Sequence, residues 1–478
     1  MRPLPHGIIL VFILAITAIL AFHLPGREEI DGGEGGILAM VNRMEREPIS
    51  PEWLRQPPLT LSCYGPLYYW VTGGVSRLTG SGASLLAGRL VSLLAGLVCL
   101  ALIGAAVRRA TGRLDAALLA ALVFLVSEPV LVWLPLERVD FLALVFTLGA
   151  YLAAPRRPAA AALAVALGAF TRQTVVLDVV PIAVVVMATL GRGRALKFVA
   201  LAGAFTLALW GLAIWQSSGY FFFAGLQANT NPLDPARGGA SFSYYLYSVP
   251  GAGAILVALI LALRERPGFF VRDVFVAGFL CHLVLDPFLA SKIGSNVNYL
   301  LPVCALGATV IGIHGFPLLA RLNEQRARVA LAVMAMVLGI PAIVSSASLA
   351  KTPLGTPKCY APVIGAIRNH PTPYVVADFE WMELALQAGA TPLVNDPYLM
   401  NLLWGGGRID RDAILAALGD GRVGWLLLDD TPDGLRKAVE RFWPDEVLDA
   451  FRDNYRLIMV QRAALPKHDL YIYAYQKK

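Results

Sequence analysis

Charge is what this chain has least of. Only 15% of its 478 residues are Asp, Glu, Lys or Arg, where a soluble globular chain carries about a quarter. That scarcity excludes a wholly water-exposed surface. Histidine is scarce too, at six, and the five cysteines are scattered without metal-ligand spacing, which excludes zinc modules and a disulfide framework. Internal repeats and low-complexity tracts are absent. The net charge of +7 is spread over loops and forms no nucleic-acid footprint. What is abundant is apolar: 57% of residues are hydrophobic, and the mean hydropathy is +0.62.

About eleven runs are long enough to cross, or nearly cross, a hydrocarbon core that takes roughly 20 helical residues. They span 5–24, 83–107, 115–133, 139–154, 159–172, 174–190, 198–215, 250–263, 274–290, 298–316 and 329–347. In lipid they must be helices, because only a helix satisfies its own backbone there. Residues 1–24 lack a cleavage site and read as a retained first span. With the N-terminus inside, the short inner loops collect Arg108, Arg109 and Arg113, Arg156 and Arg157, Arg192, Arg194 and Lys197, Arg264, Arg266 and Arg272, and Arg321, Arg326 and Arg328. That is the positive-inside pattern, and it sets residues 348–478 outside. The expected fold class is therefore an α-helical polytopic membrane domain (1–350) followed by a small extracytoplasmic α/β domain (351–478). Pro353, Gly355 and Pro357 form the linker. In the tail, Pro373–Asp378, Thr391–Asn395, Gly424–Asp429, Arg456–Gln461 and Leu470–Gln476 read as strands, and Arg411–Leu418 and Leu435–Phe442 as helices. Its acidic residues, Asp378, Glu383 and Asp430 among them, read as solvated surface. Cys63 and Cys359 alone fall outside the spans, where an oxidising compartment would permit a disulfide.

The scarce polar residues gather at the outer ends. Asp31-Gly-Gly-Glu34 follows the first span, within a long outer loop of residues 25–82. In that loop Ile37–Met44 is an amphipathic stretch expected on the membrane surface, and Tyr64-Gly-Pro-Leu-Tyr68-Tyr-Trp70 is either an interface belt or a sugar platform. Other outer ends carry Arg138 and Asp140, Thr171-Arg172-Gln173, Asp178, Asp286, Lys292, and Asn298 with Tyr299. Asp140 suits a helix first turn or a pair with Arg138. Arg172 and Lys292 run against the positive-inside tendency. A lipid phosphate would account for them, as would ion pairs with Asp178 or Asp286.

This order and placement resembles the GT-C membrane glycosyltransferases, in particular the branch of protein O-mannosyltransferases and lipid A aminoarabinose transferases. The resemblance covers about residues 5–320. It rests on Asp31 and Glu34, the Tyr64-Gly-Pro-Leu-Tyr-Tyr segment, Arg138-Val-Asp140, Thr171-Arg172-Gln173 and Asn298-Tyr299-Leu300. It implies transfer of a sugar from a polyprenyl-phosphate donor to a glycan, lipid or protein acceptor on the outer side of a bacterial inner membrane. Asp31 would then be the base, with Glu34 and Asp140 as further acidic catalytic groups. Arg138, Arg172 and Lys292 would hold the donor phosphate, and Tyr64, Tyr68, Gln173, Asn298 and Tyr299 the substrate. The acidic pair, adjacent in the mannosyltransferases, is here split by two glycines. The Trp-Trp-Asp motif of oligosaccharyltransferases is missing, which argues against whole-glycan transfer. No cofactor is required, although a divalent ion would be compatible with Asp31, Glu34 and Asp140. The competing class is a secondary transporter or flippase. Such proteins show repeated halves and ionisable groups near the midplane, and this sequence shows neither.

Overall fold

The protein is described here as a computed structural model covering residues 4–22, 24–25, 33–82, 84–227, 231–319, 324–349, 360–378, 381–405, 409–437, 443–464 and 469–478. Asp31, Cys359 and the linker around Pro353 lie outside the described residues.

Among the described residues, five helices are long and apolar enough to cross a membrane: Leu86–Thr111, Gln173–Leu190, Arg192–Gln216, Val297–Gly315 and Gln325–Ala347. A sixth unit is the pair Pro235–Tyr247 and Val249–Arg264, bent by 83°. Five shorter apolar helices accompany them: His6–Phe22, Leu114–Leu125, Asp140–Ala153, Pro158–Ala169 and Val274–Ala290. Each of the eleven apolar runs overlaps one of these units, but the run 115–133 breaks after Leu125 and resumes as the short helix Glu128–Trp133. Close packing between them uses small residues, which let backbones approach where lipid offers no hydrophobic drive. At Gly278 an added Cβ would stand 2.4 Å from the Tyr151 ring, so that position admits no side chain.

The tail builds a five-stranded sheet from β1 (Tyr374–Ala377), β2 (Thr391–Pro392), β3 (Val423–Leu428), β4 (Tyr455–Ala464) and β5 (Asp469–Lys477), in the order β2-β1-β3-β5-β4. β1 runs parallel to β2 and β3, while β5 is antiparallel to β3 and β4. Every residue of β3 is buried, as its unbroken apolar run requires of a central strand covered on both faces. Asp378 and Glu383 are buried, not solvated. Asp378 takes hydrogen bonds from the Trp443 indole and from Asp429 N.

The loop after the first apolar helix does not present the stretch Ile37–Met44 as an open amphipathic surface. Glu34 through Asn42 are all buried in the helix Glu34–Arg46. Its small-residue face (Gly35, Gly36) admits the tail's Asn395 carbonyl, which would stand 2.7 Å from a Cβ at Gly36. Leu59 forms a parallel bridge to Val394, so the loop extends the sheet edge beyond β2. Amphipathicity identified one buried face, and the tail covers the other.

Candidate active site

The start of the loop is clamped from below. Glu34 accepts a bidentate pair from Arg89, Nε to Oε1 and Nη2 to Oε2, both at 2.9 Å. Its Oε1 also accepts from Glu137 N at 2.7 Å. Both side chains are fully buried, and a buried pair of this kind is costly to break from one side. Gly33 has φ +120°, and the Arg138 guanidinium lies against it: a Cβ there would meet Nη1 and Nη2 at 2.8 Å. The positive φ is what calls for glycine next to Glu34, and the Arg138 guanidinium packs against it. Tyr68 belongs to this layer. It is buried and donates to Gly88 O at 3.2 Å, apart from the group formed by Asp140.

That second group assembles from three separate helix ends. Asp140 opens the helix Asp140–Ala153 and is ion-paired with Arg172. Asn298 Nδ2 donates to the same oxygen, Asp140 Oδ1, at 3.0 Å. The Arg172 guanidinium stacks on the Tyr299 ring at 4.2 Å. Of the two roles open to Asp140, a pair with Arg138 is thus replaced by a pair with Arg172. Two buried oxygens, Asp140 Oδ2 and Asn298 Oδ1, have no hydrogen-bond partner among the described residues.

Backbone contacts bring Tyr64 beside Arg172. Gly65 N donates to Thr171 O at 3.1 Å and Leu67 N to Phe170 O at 3.3 Å. A Cβ at Gly65 would stand 2.0 Å from Phe170 O, so the approach needs glycine. Gln173 Nε2 bridges Cys63 O at 3.0 Å and Gly225 O at 2.6 Å. The Tyr64 phenol lies within electrostatic reach of Arg138, Asp140 and Arg172. Tyr69 is buried like Tyr68, so this aromatic run is partly core and not an open sugar platform.

Lys292 is half-buried and forms a bridge to Leu233. Among the described residues no carboxylate pairs with it. Burial, then the Arg172 charge, hold its ammonium below the usual lysine range. Such a cation gains by meeting an anion.

The tail reaches the same region. Asn395 donates to Gly36 O at 3.1 Å, and the ring of Tyr398 packs on Gly294, two residues from Lys292. Between them Asp396 caps the helix Pro397–Trp404 by accepting from Leu399 N at 2.8 Å. Its burial, partly opposed by that bond and by Arg138, pushes the carboxyl up to about 6. A cleft of about 760 Å³ opens between the two parts of the chain, lined by Pro25, Ser84, Arg368, Glu383 and Gln387.

Sequence reasoning missed three participants. Arg89 is a lone cation inside an apolar run, a signal that was available. Asp396 carried none beyond its position before a proline. The third is His282, whose Nδ1 meets Asp286 and whose Nε2 meets Asp178, both at 2.7 Å. Asp178 also accepts from Thr147 at 2.9 Å and Tyr151 at 3.0 Å. Asp178 and Asp286 thus serve this buried network and leave Arg172 alone. The i,i+4 spacing of His282 and Asp286 pointed to it. Among the described residues no three His, Cys, Asp or Glu side chains converge as a metal site would need.

No protein-family model and no curated protein matches the chain. Solved structures do. ArnT from Cupriavidus metallidurans bound to undecaprenyl phosphate matches with a TM-score of 0.63 at 15% identity, covering 98% of each chain, and its apo form with 0.66. The archaeal oligosaccharyltransferase AglB from Archaeoglobus fulgidus, in complex with an inhibitory peptide and a dolichol-phosphate, matches with 0.56 at 11% identity, covering 98% of this chain and 74% of that one. The chain has the GT-C membrane fold that these two proteins share.

Proposed function

We propose that this protein is an integral-membrane glycosyltransferase that moves a sugar from a polyprenyl-phosphate donor to an acceptor hydroxyl on the outer side of the membrane. The observation that carries the reading is the Arg172–Asp140–Asn298 group, with Lys292 beside it, at one end of a bundle of apolar helices. The fold likeness to ArnT with undecaprenyl phosphate and AglB with dolichol-phosphate supports the donor class.

In this reading Lys292, Arg172 and Arg138 hold the carrier phosphate. The acceptor oxygen attacks the anomeric carbon as the bond from that carbon to the phosphate oxygen breaks. The electron pair stays on the phosphate, where the cations stabilise it. The hydroxyl proton passes to Asp31, the base, and displacement on one face inverts the anomeric centre. Asp140, neutralised by Arg172, orients that cation. Glu34, which the sequence grouped with the catalytic acids, is here a positioning residue. Its pair with Arg89 fixes the start of the helix that follows Gly33, two residues beyond Asp31 in the sequence. A divalent ion, where one takes part, would draw on Asp31 and Asp140. Tyr64, Gln173 and Tyr299 wall the site. The proposed topology has a cytoplasmic N-terminus, eleven spans and an outer domain from residue 351 onward.

The test is to incubate the purified protein in lipid nanodiscs with a panel of labelled undecaprenyl-phosphate pentoses and hexoses. The reading requires release of undecaprenyl phosphate from at least one. Binding without turnover for every donor, with transport of one across liposomes, would favour a flippase instead.

A further inference from the structure

Asp140 and Asn298 are 2% and 6% exposed, yet each retains an oxygen with nothing to accept among the described residues. Buried acceptors left unsatisfied are rare and carry a desolvation penalty. These two flank a single hydrogen bond, Asn298 Nδ2 to Asp140 Oδ1. The bond fixes the amide orientation, because turning it would set Asn298 Oδ1 against the carboxylate. The ion pair with Arg172 locks the carboxylate and balances its charge. What remains is a rigid pair of acceptor-only atoms beside two cations. Phosphate oxygens suit the cations and are repelled by the acceptors. Hydroxyls suit the acceptors.

We infer that the donor sugar is recognised through two neighbouring ring hydroxyls, one donating to Asp140 Oδ2 and the other to Asn298 Oδ1. This rests on the transferase reading and adds the substrate class to it: a sugar with an unmodified adjacent diol, presented with its phosphate toward Arg172 and Lys292. Asp140 is thereby a sugar-contacting acceptor and not a second base. Sugars blocked or deoxygenated at that diol are excluded. Their binding would leave one or both buried oxygens unpaired, and a site built to hydrogen-bond a hydroxyl discriminates strongly against its absence.

The experiment takes the donor that the full-length protein turns over best and compares it with its monodeoxy analogues. Removing either of two adjacent hydroxyls is expected to lower kcat/KM by about a hundredfold or more, and removing any other by less than about tenfold. In Asn298→Ala the penalty at one of those two positions should shrink to about threefold or less, because the enzyme group that punished the loss is gone. Indifference of the wild type to every deoxygenation would overturn the inference while sparing the transferase reading. A loss in Asn298→Ala that is equal for all donors and for the bare carrier would give Asn298 a structural role only. Turnover lost with EDTA and restored by Mg²⁺ in the wild type, but not in Asn298→Ala, would assign the oxygens to a cation. Should Asn298→Ala fail to fold, the wild-type deoxy series decides alone. Failure to turn over any polyprenyl-phosphate sugar would remove both readings together.

Discussion

Asn395 and Leu61, 334 residues apart, share two hydrogen bonds: Leu61 N donates to Asn395 Oδ1 at 2.6 Å, and Asn395 Nδ2 donates to Leu61 O at 2.9 Å. A third bond from the same amide reaches Gly36 O. One side chain thus stitches the tail to both halves of the first outer loop. Asn395→Ala would leave three buried backbone groups without partners, at about 1–3 kcal/mol for each that water cannot reach. Limited proteolysis should therefore cut the variant faster within residues 47–65 and at the tail together. Faster cutting of the tail alone would show that the seam does not depend on this residue. Because of the seam, cutting the chain near Pro353 should disturb the first loop as well as the tail.

Glu34→Gln should destabilise by about 3–5 kcal/mol, because it removes the carboxylate that holds the buried Arg89 guanidinium in a bidentate pair. Adding Arg89→Met should recover much of the melting temperature but not the turnover, since the backbone near Asp31 would no longer be held. Normal turnover in a stable Glu34→Gln protein would show that the clamp does not position the base.

Lys292→Met should weaken binding of bare undecaprenyl phosphate and of sugar-bearing donors by the same factor, about tenfold or more, as loss of a charge-assisted contact implies. The loss should shrink in high salt. Arg172→Met should also lower the melting temperature, because it strips Asp140 of its partner. A Lys292→Met protein that bound the bare carrier normally would remove Lys292 from the phosphate site.

Much of this site could be read before its geometry was known. Asp140, Arg172, Lys292, Asn298 and Tyr299 stand out because ionisable and amide groups at span ends are expensive unless used. Their pairing was not legible. Asp140, Asp178 and Asp286 are equivalent in sequence terms, and only helix packing sends Arg172 to the first and His282 to the other two. The helix Glu34–Arg46 was legible as a helix with one apolar face, but nothing local revealed that the tail would cover its glycines. All five strands of the tail appear. The expected strand Thr391–Asn395 is in register with β1 at Thr391 and Pro392, Leu393 N still donates to Val375 O, and from Leu393 O onward its bonds go to the first loop at Leu59 and Leu61, a choice made 334 residues away.

Asp396 gives a pH signature. Its folded value of about 6 lies above the usual unfolded value of about 3.9, so the folded state holds this proton more tightly. The resulting stabilisation is fully present below about pH 4 and is lost as pH rises through about 6. Asp396→Asn keeps an acceptor for Leu399 N and removes the charge. Its melting temperature should accordingly fall less than that of the wild type between pH 4 and pH 7. Parallel curves would mean that Asp396 does not titrate in this window.

The most direct measurement is single-turnover release of undecaprenyl phosphate by Asp31→Asn, alongside donor binding to the same protein. A positioned general base contributes about a hundredfold or more. The account predicts a turnover loss of that size with donor affinity within about twofold of the wild type, since no carrier contact is removed. Near-normal turnover in Asp31→Asn would contradict it.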